Sequence, residues 1–326
     1  MANRLGDSRS KAYALAADVL VSFVFAPKPL HEFEILKRNA IRAASETGDA
    51  YIQSWTRWMI AFSETWRGRM NEARDTAREL LEVGRLLNDP RSTGFGLNML
   101  GGIALLSDTY NEAVEYSEQA LSVAVAPWDR VAAAYIKGCA LMLLRRAEEA
   151  SKLMQDQRRR IAADGDFYNS GGSDLMLGLY EILRGNIAEG FRQIEELISR
   201  LDKQGNQSYA NVCRIHLAQL YLEIIAGTEK PQLTVVLKNL PIILRLMVTA
   251  SRRIQALITR VLEFPYFDPA GHHVGRAHMI LGLLYKTKKR RALAVQHLTE
   301  AKRIFSQFGQ TPVLIRVETA LAELGL

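Results

Sequence analysis

One spacing of small residues keeps returning along the chain. Gly101, Ala113 and Ala120 lie twelve and then seven residues apart. The same intervals separate Gly138, Ala150 and Gln157, then Gly282, Ala294 and Ala301, and also Ala61, Ala73 and Leu80. Gly178, Gly190 and Leu197 repeat it with glycine in the alanine slot. Packing explains such a spacing. Where two helices cross, a large side chain holds the backbones apart, so the crossing selects Gly or Ala. The Leu, Tyr and Phe beside the slots fill the space between successive helix pairs.

The pattern resembles the tetratricopeptide repeat (TPR), a unit of about 34 residues made of two antiparallel helices and a tight turn. The predicted fold is therefore all-α, a TPR-like αα superhelix: a solenoid of antiparallel helix hairpins forming one domain over 1–326. The hairpins are placed at about 12–44, 51–87, 93–123, 130–160, 173–201 and 274–306. A final helix over about 312–325 would cap the last exposed apolar face, as solenoid ends require. Turn signals agree with this register. Gly185-Asn186 follows Leu183 where glycine can take the left-handed conformation that ends a helix, and Asp108 holds the equivalent place after Leu106.

Two regions depart from the pattern. Pro27 and Pro29 divide the first hairpin between its helices. The stretch 208–270 starts in register at Leu217, Ala218 and Tyr221, then passes through Gly227–Pro231 into a long apolar-periodic run with Leu240, Ile243, Leu244, Met247 and Ile254. An insertion and an overlong second helix both fit that run. "EFPYFDPAGHH" reads as a loop after it.

Composition narrows the function classes. A hydrophobic fraction of 48 % and a charged fraction of 24 % are those of a folded globular chain. Two cysteines, Cys139 and Cys213, sit in apolar helical patterns and read as buried thiols. No apolar run is long enough to span a bilayer, and the amino terminus is polar, so a cytoplasmic protein is expected. The net charge of +7 admits an acidic partner, a membrane surface or nucleic acid without choosing among them. Basic residues are scattered, and the Arg158–Arg160 run reads as the close of a helix, where positive charge complements the dipole. No nucleic-acid-binding module is recognisable, and no nucleic-acid partner is expected.

There is no GxxxxGK[ST] loop, and the glycines of Thr93–Gly102 coincide with the packing slot, outside any strand–turn–helix context. His272, His273, His278 and His297 lack metal-ligand spacing. The expectation is no cofactor, no metal and no catalytic residues.

"GHHVGRAHMILGLLYKTKKRRALAVQHLTEAKRIFSQFGQTPVLIRVETALAEL", "GDSRSKAYALAA" and "NDPRSTGFGLNMLGGIALLSDTYNEAVEYSEQAL" resemble the carboxyl-terminal helical-repeat tail of bacterial signalling proteins. Those proteins carry a class III adenylate/guanylate cyclase domain and a STAND-type ATPase domain. The resemblance implies a regulatory or sensor module, with cyclase or ATPase domains as partners in cis or in trans. No catalytic residue carries over.

A non-catalytic protein-interaction scaffold is the function expected, with a small-molecule or peptide-sensing receptor as the alternative. Its site is expected on the inner face formed by first helices, where residues three or four apart point the same way. Counting from the small-residue slots gives Trp55, Trp58 and Phe62, then Asn98, Tyr135, Gln219, and Arg276 with Met279. The three aromatics would anchor a helix or extended peptide, with Asn98, Tyr135 and Gln219 ordering its backbone. The competing reading has Trp55 and Trp58 filling the interface with the first hairpin.

Overall fold

In the computed structural model, which describes residues 7–24, 26–164, 167–227, 233–309 and 311–326, left-handed residues end one helix after another. Gly48, Gly68, Asn88 and Asp108 have φ of 65°, 86°, 51° and 62°, and Gly185 and Gly205 have 83° and 76°. Each stands just past a helix end, where a positive φ lets the amide turn back onto the last carbonyls. Asn and Asp tolerate that conformation better than other non-glycine residues. No strand occurs among the described residues.

Contacts divide the chain into two compact units, Met1–Arg146 and Ala147–Leu326. Unit 1 holds α1 (Ser8–Val24), α2 (Leu30–Glu46), α3 (Ala50–Arg67), α4 (Met70–Leu86), α5 (Pro90–Leu106), α6 (Tyr110–Val123) and α7 (Pro127–Leu143). Unit 2 holds α8 (Ala147–Asp164), α9 (Phe167–Leu183), α10 (Ile187–Lys203), α11 (Gln207–Ala226), α12 (Leu233–Lys238), α13 (Leu240–Leu262), α14 (His272–Thr287), α15 (Arg291–Phe305) and α16 (Pro312–Ala322). First helices begin at Ala50, Pro90, Pro127, Phe167 and Gln207. The hairpin thus recurs every 37–40 residues, longer than the TPR unit of about 34.

In unit 1 each helix packs on the next, and α3, α5 and α7 also touch in succession. Asp49 starts α3 by accepting from the amides of Tyr51 and Ile52, and Asp89 starts α5 by accepting from those of Arg91 and Ser92. These caps satisfy amides that have no intrahelical partner. The slot residues lie at crossings: Ala61, Ala73 and Ala113 are wholly buried. Two more glycines act likewise between α4 and α5. A Cβ on Gly84 would stand 2.4 Å from the Thr93 amide nitrogen, and one on Gly96 would stand 2.7 Å from that of Leu81.

The prolines between α1 and α2 are held by Arg67. Its guanidinium is buried between Phe23 and Phe33, 5.4 and 4.4 Å from their ring centres, and donates to the carbonyls of Ser22 and Lys28. Burial, and then the charge of Arg69, lowers its pKa to about 10.

In unit 2 α10 is strongly amphipathic, burying Ile187, Phe191, Ile194, Leu197 and Leu201 on one face. Gly178 and Gly190 oppose one another where α9 crosses α10; a Cβ on Gly190 would lie 2.4 Å from the Gly178 carbonyl oxygen. Even alanine is too large there, which explains the glycine in that slot. At 208–270, α11 packs against the 23-residue α13, and both touch α14. α16 lays Val313, Leu314, Val317 and Leu321 over Met279, Leu298 and Phe305, closing the carboxyl-terminal core.

Several local expectations change. His272 and His273 do not belong to a loop; they open α14 and are buried. α8 does not close at Arg158–Arg160 but runs on to Asp164. Met279 is wholly enclosed under α16, so it belongs to the core and not to an inward face. The Gln157 side chain, and residues 228–231 of the Gly227–Pro231 link, lie outside the described residues.

Candidate functional site

The side chains of α3 at three- and four-residue intervals form a ladder of rings. Tyr51 and Trp55 lie 6.4 Å apart between centres, Trp55 and Trp58 5.2 Å, Trp58 and Phe62 5.9 Å, and Phe62 and Trp66 5.8 Å. α5 adds Phe95, 6.0 Å from Trp55 and 5.3 Å from Trp58. α7 adds Trp128, edge-on to Trp58 at 5.1 Å. Trp58 is only 7 % exposed, because Phe95 and Trp128 enclose it. Trp55, Phe62, Trp66 and Trp128 remain half-buried. Trp58 is thus the fixed centre of the cluster, and the other rings present their faces or edges around it.

Polar groups stand in and beside this cluster. The Arg91 guanidinium lies over Tyr51 and Phe95 at 5.3 and 5.6 Å, and its Nε is 4.0 Å from Asp129 Oδ2. That oxygen accepts from the Ala126 amide at the start of α7, whereas Asp129 Oδ1 is buried without a hydrogen-bond partner. Asn98 follows Phe95 by three residues, so both lie on one side of α5. It is 6 % exposed, and its Oδ1 also lacks a partner. An acceptor left dry and unpaired costs about 1–3 kcal/mol. Both oxygens are enclosed, so neither faces solvent in this structure.

The expected site residues distribute as follows. Trp55, Trp58 and Phe62 come together on α3, Asn98 lies buried on α5 of the same unit, and Tyr135 is half-buried on its α7. Gln219 and Arg276 belong to unit 2. Gln219 donates to Glu223 Oε1 at 2.8 Å while its own Oε1 is buried and unpaired. Arg276 Nε donates to His272 Nε2 at 3.0 Å. Sequence counting missed Tyr51, Trp66, Phe95, Trp128, Arg91 and Asp129. Phe95 and Arg91 sit one and two turns before Asn98, and extending the count along each helix would have found them. Trp128 offered no such signal, since only the approach of α7 carries it to Trp58.

Unit 2 holds two other polar assemblies. An open pocket of about 410 Å³ is lined by Asp202, Gln207, Asn211, Arg214, Arg260, Glu263, Phe264 and Pro265. Its buried Arg214 is engaged by Asp202 and Asn211, which leaves little charge to offer a ligand. His278 and His297 approach through their Nδ1 atoms at 2.9 Å. Burial holds both below the ordinary histidine range, with the facing His297 a further cause for His278. No group of three or more His, Cys, Asp or Glu residues that could hold a metal is found among the described residues.

Comparison with solved structures gives the fold a place. A Rap protein complexed with Competence and Sporulation Factor aligns over 99 % of this chain and 100 % of its own, with a TM-score of 0.54 at 11 % identity. The chain has a TPR-like fold. A tetratricopeptide repeat protein from Parabacteroides merdae aligns over 96 % of this chain and 99 % of its own, with a TM-score of 0.46 at 14 % identity. No protein-family profile matches the sequence, and no curated protein is similar enough to match it. At such identities the likeness concerns the TPR-like architecture alone. No described helix is long and apolar enough to cross a membrane.

Proposed function

We propose that this chain is a non-catalytic polypeptide-binding module, and that unit 1 captures its partner on the side of α3, α5 and α7 that carries the rings. The observation that carries this reading is Asn98: nine-tenths buried, with an unpaired carbonyl oxygen, and one turn along α5 from Phe95, which touches Trp55 and Trp58. Rotation of the Asn98 amide as a segment docks would bring that oxygen to a backbone N–H of the segment, while an apolar side chain covers Trp55 and Phe62. Hot spots are typically built this way, with aromatic anchors around a desolvated polar group. Tyr135 borders the same face. Gln219 and Arg276 make up a separate polar contact surface in unit 2. The Rap protein of similar fold is complexed with Competence and Sporulation Factor, so architecture of this kind can carry a bound factor. The resemblance to cyclase tails gives the event a direction: capture would act as regulatory input to class III cyclase or STAND-type ATPase domains, in cis or in trans.

The test is selection of a random displayed peptide library on the immobilised full chain, followed by titration of the winners. We expect binders whose affinity falls at least tenfold both in Asn98→Ala, with the melting temperature retained, and in Trp55→Ala/Phe62→Ala, which should still unfold cooperatively above the assay temperature. A library that yields no binder, or binders indifferent to both variants, would overturn the reading.

A further inference from the structure

The amino-terminal half of α13 exposes a face that no described residue covers. Leu240 is 41 % exposed, Leu244 58 %, Met247 55 % and Val248 79 %. They stand at i, i+4, i+7 and i+8, one stripe of a helix, and Leu237 of α12, 62 % exposed, lies just before it in the chain. The opposite face of the same turns is core, with Leu246 and Ala250 buried. Large apolar residues scattered singly on a surface are ordinary, but a contiguous stripe marks an interaction site.

Charge says what kind. From 233 to 262 the sequence holds Lys238, Arg245, Arg252, Arg253 and Arg260 and no Asp or Glu. Arg253 pairs with Glu195, and Arg260 faces Asp202. Arg245 and Arg252 make no ion pair among the described residues and are exposed. By helical rotation they border the apolar stripe, where long stems can lie along an apolar surface while the guanidinium reaches the polar side. An exposed apolar stripe with arginine at its edge and no acidic residue is the pattern of a helix that lies in a lipid interface.

We propose that α13 docks the protein on an anionic membrane surface, lying parallel to it. Leu240, Leu244, Met247 and Val248 enter the headgroup–acyl boundary, and Arg245 and Arg252 meet lipid phosphates. A second copy of the chain is a poorer occupant, because twofold pairing of this stripe sets like charges against each other. A protein groove would have to match this stripe side chain by side chain, whereas a fluid interface closes around it without prior complementarity.

The experiment uses the full chain and vesicles of phosphatidylcholine with and without phosphatidylglycerol. We expect sedimentation with the anionic vesicles only, weakened by salt. Met247→Asp/Val248→Asp should abolish it, and Arg245→Glu/Arg252→Glu should weaken partitioning by about tenfold or more, on the order of fivefold per lost basic charge. All four side chains are exposed, so circular dichroism should be unchanged. Insertion is read independently by a polarity-sensitive dye on Val248→Cys. Cys139 and Cys213 are wholly buried, with burial pushing the Cys139 thiol up to about 12, so only the new thiol reacts. A blue shift on anionic vesicles supports the proposal. Absence of vesicle binding, binding indifferent to both double variants, or a concentration-dependent dimer lost in Met247→Asp/Val248→Asp would overturn it.

Discussion

The first helices of unit 1 carry rings where α11 and α14 of unit 2 carry paired polar groups. On α3, α5 and α7 the ladder from Tyr51 to Trp66 continues onto Phe95 and Trp128. On α11 and α14 the corresponding kinds of position hold Gln219 bonded to Glu223, Arg214 bonded to Asp202, and Arg276 bonded to His272. The same hairpin plan supports both, because the small-residue slots that fix helix spacing lie on other faces. The difference bears on energy. Covering half-buried rings with a partner returns apolar area at about 25 cal/mol per Å². Polar pairs that already satisfy each other return little, since a partner must first break them. Affinity is therefore expected in unit 1, and adjustment of specificity in unit 2.

The sharpest way to break this comparison is Trp58→Ala. Trp58 is enclosed by rings from three helices, so the loss should be about 3–5 kcal/mol, read as a lower denaturation midpoint for unit 1. Trp55→Ala and Phe62→Ala, at half-buried positions, should cost clearly less while weakening capture. Equal costs at all three positions would make the ladder core throughout, without a binding edge.

Next in size are the slots, which should behave alike in both units. Ala113→Leu and Ala294→Leu each insert bulk at a wholly buried crossing and should cost about 1–3 kcal/mol by over-packing. Unchanged melting in either would mean that this unit is not spaced by its small residues.

A smaller effect separates the units by pH. His278 and His297 have folded-state pKa values below the ordinary histidine value, with burial the first cause for each. The unfolded chain therefore binds more protons as pH drops below about 6.5. Stability is fully present above that pH and is lost as pH falls through the lowered folded values. Unit 2 should melt earlier at pH 5.5 than at 7.5, and His278→Gln/His297→Gln should shrink the difference. A shift of the same size in the double variant would assign the effect to carboxylates.

The smallest expected change is also the most diagnostic. Asn98→Ala removes a buried oxygen that has no partner, so stability should stay within about 1 kcal/mol of wild type or rise slightly. Capture should nevertheless fall. A site kept at the expense of stability behaves this way; a structural asparagine would lower the melting temperature instead.

The helical class and the crossing slots were legible in the residues because both are local or periodic. Ala73, Ala113, Ala150 and Ala294 recur in one register, twelve residues after a small residue each time, as packed hairpins require, and Asp108 and Gly185 stand where a left-handed residue ends a helix. Part of the binding face was legible for the same reason: Trp55, Trp58 and Phe62 share one helix, so helical geometry alone aligns them. Tertiary structure decided the rest. Trp58 is enclosed because α7 brings Trp128 over it, a contact seventy residues away in sequence. Met279 turned from an inward position into core because α16 covers it. The α13 stripe stays open because no described helix packs there, although the sequence marks it as apolar as any buried face. A periodicity states which residues share a side; which neighbour arrives at that side, or whether one does, depends on how distant helices stack.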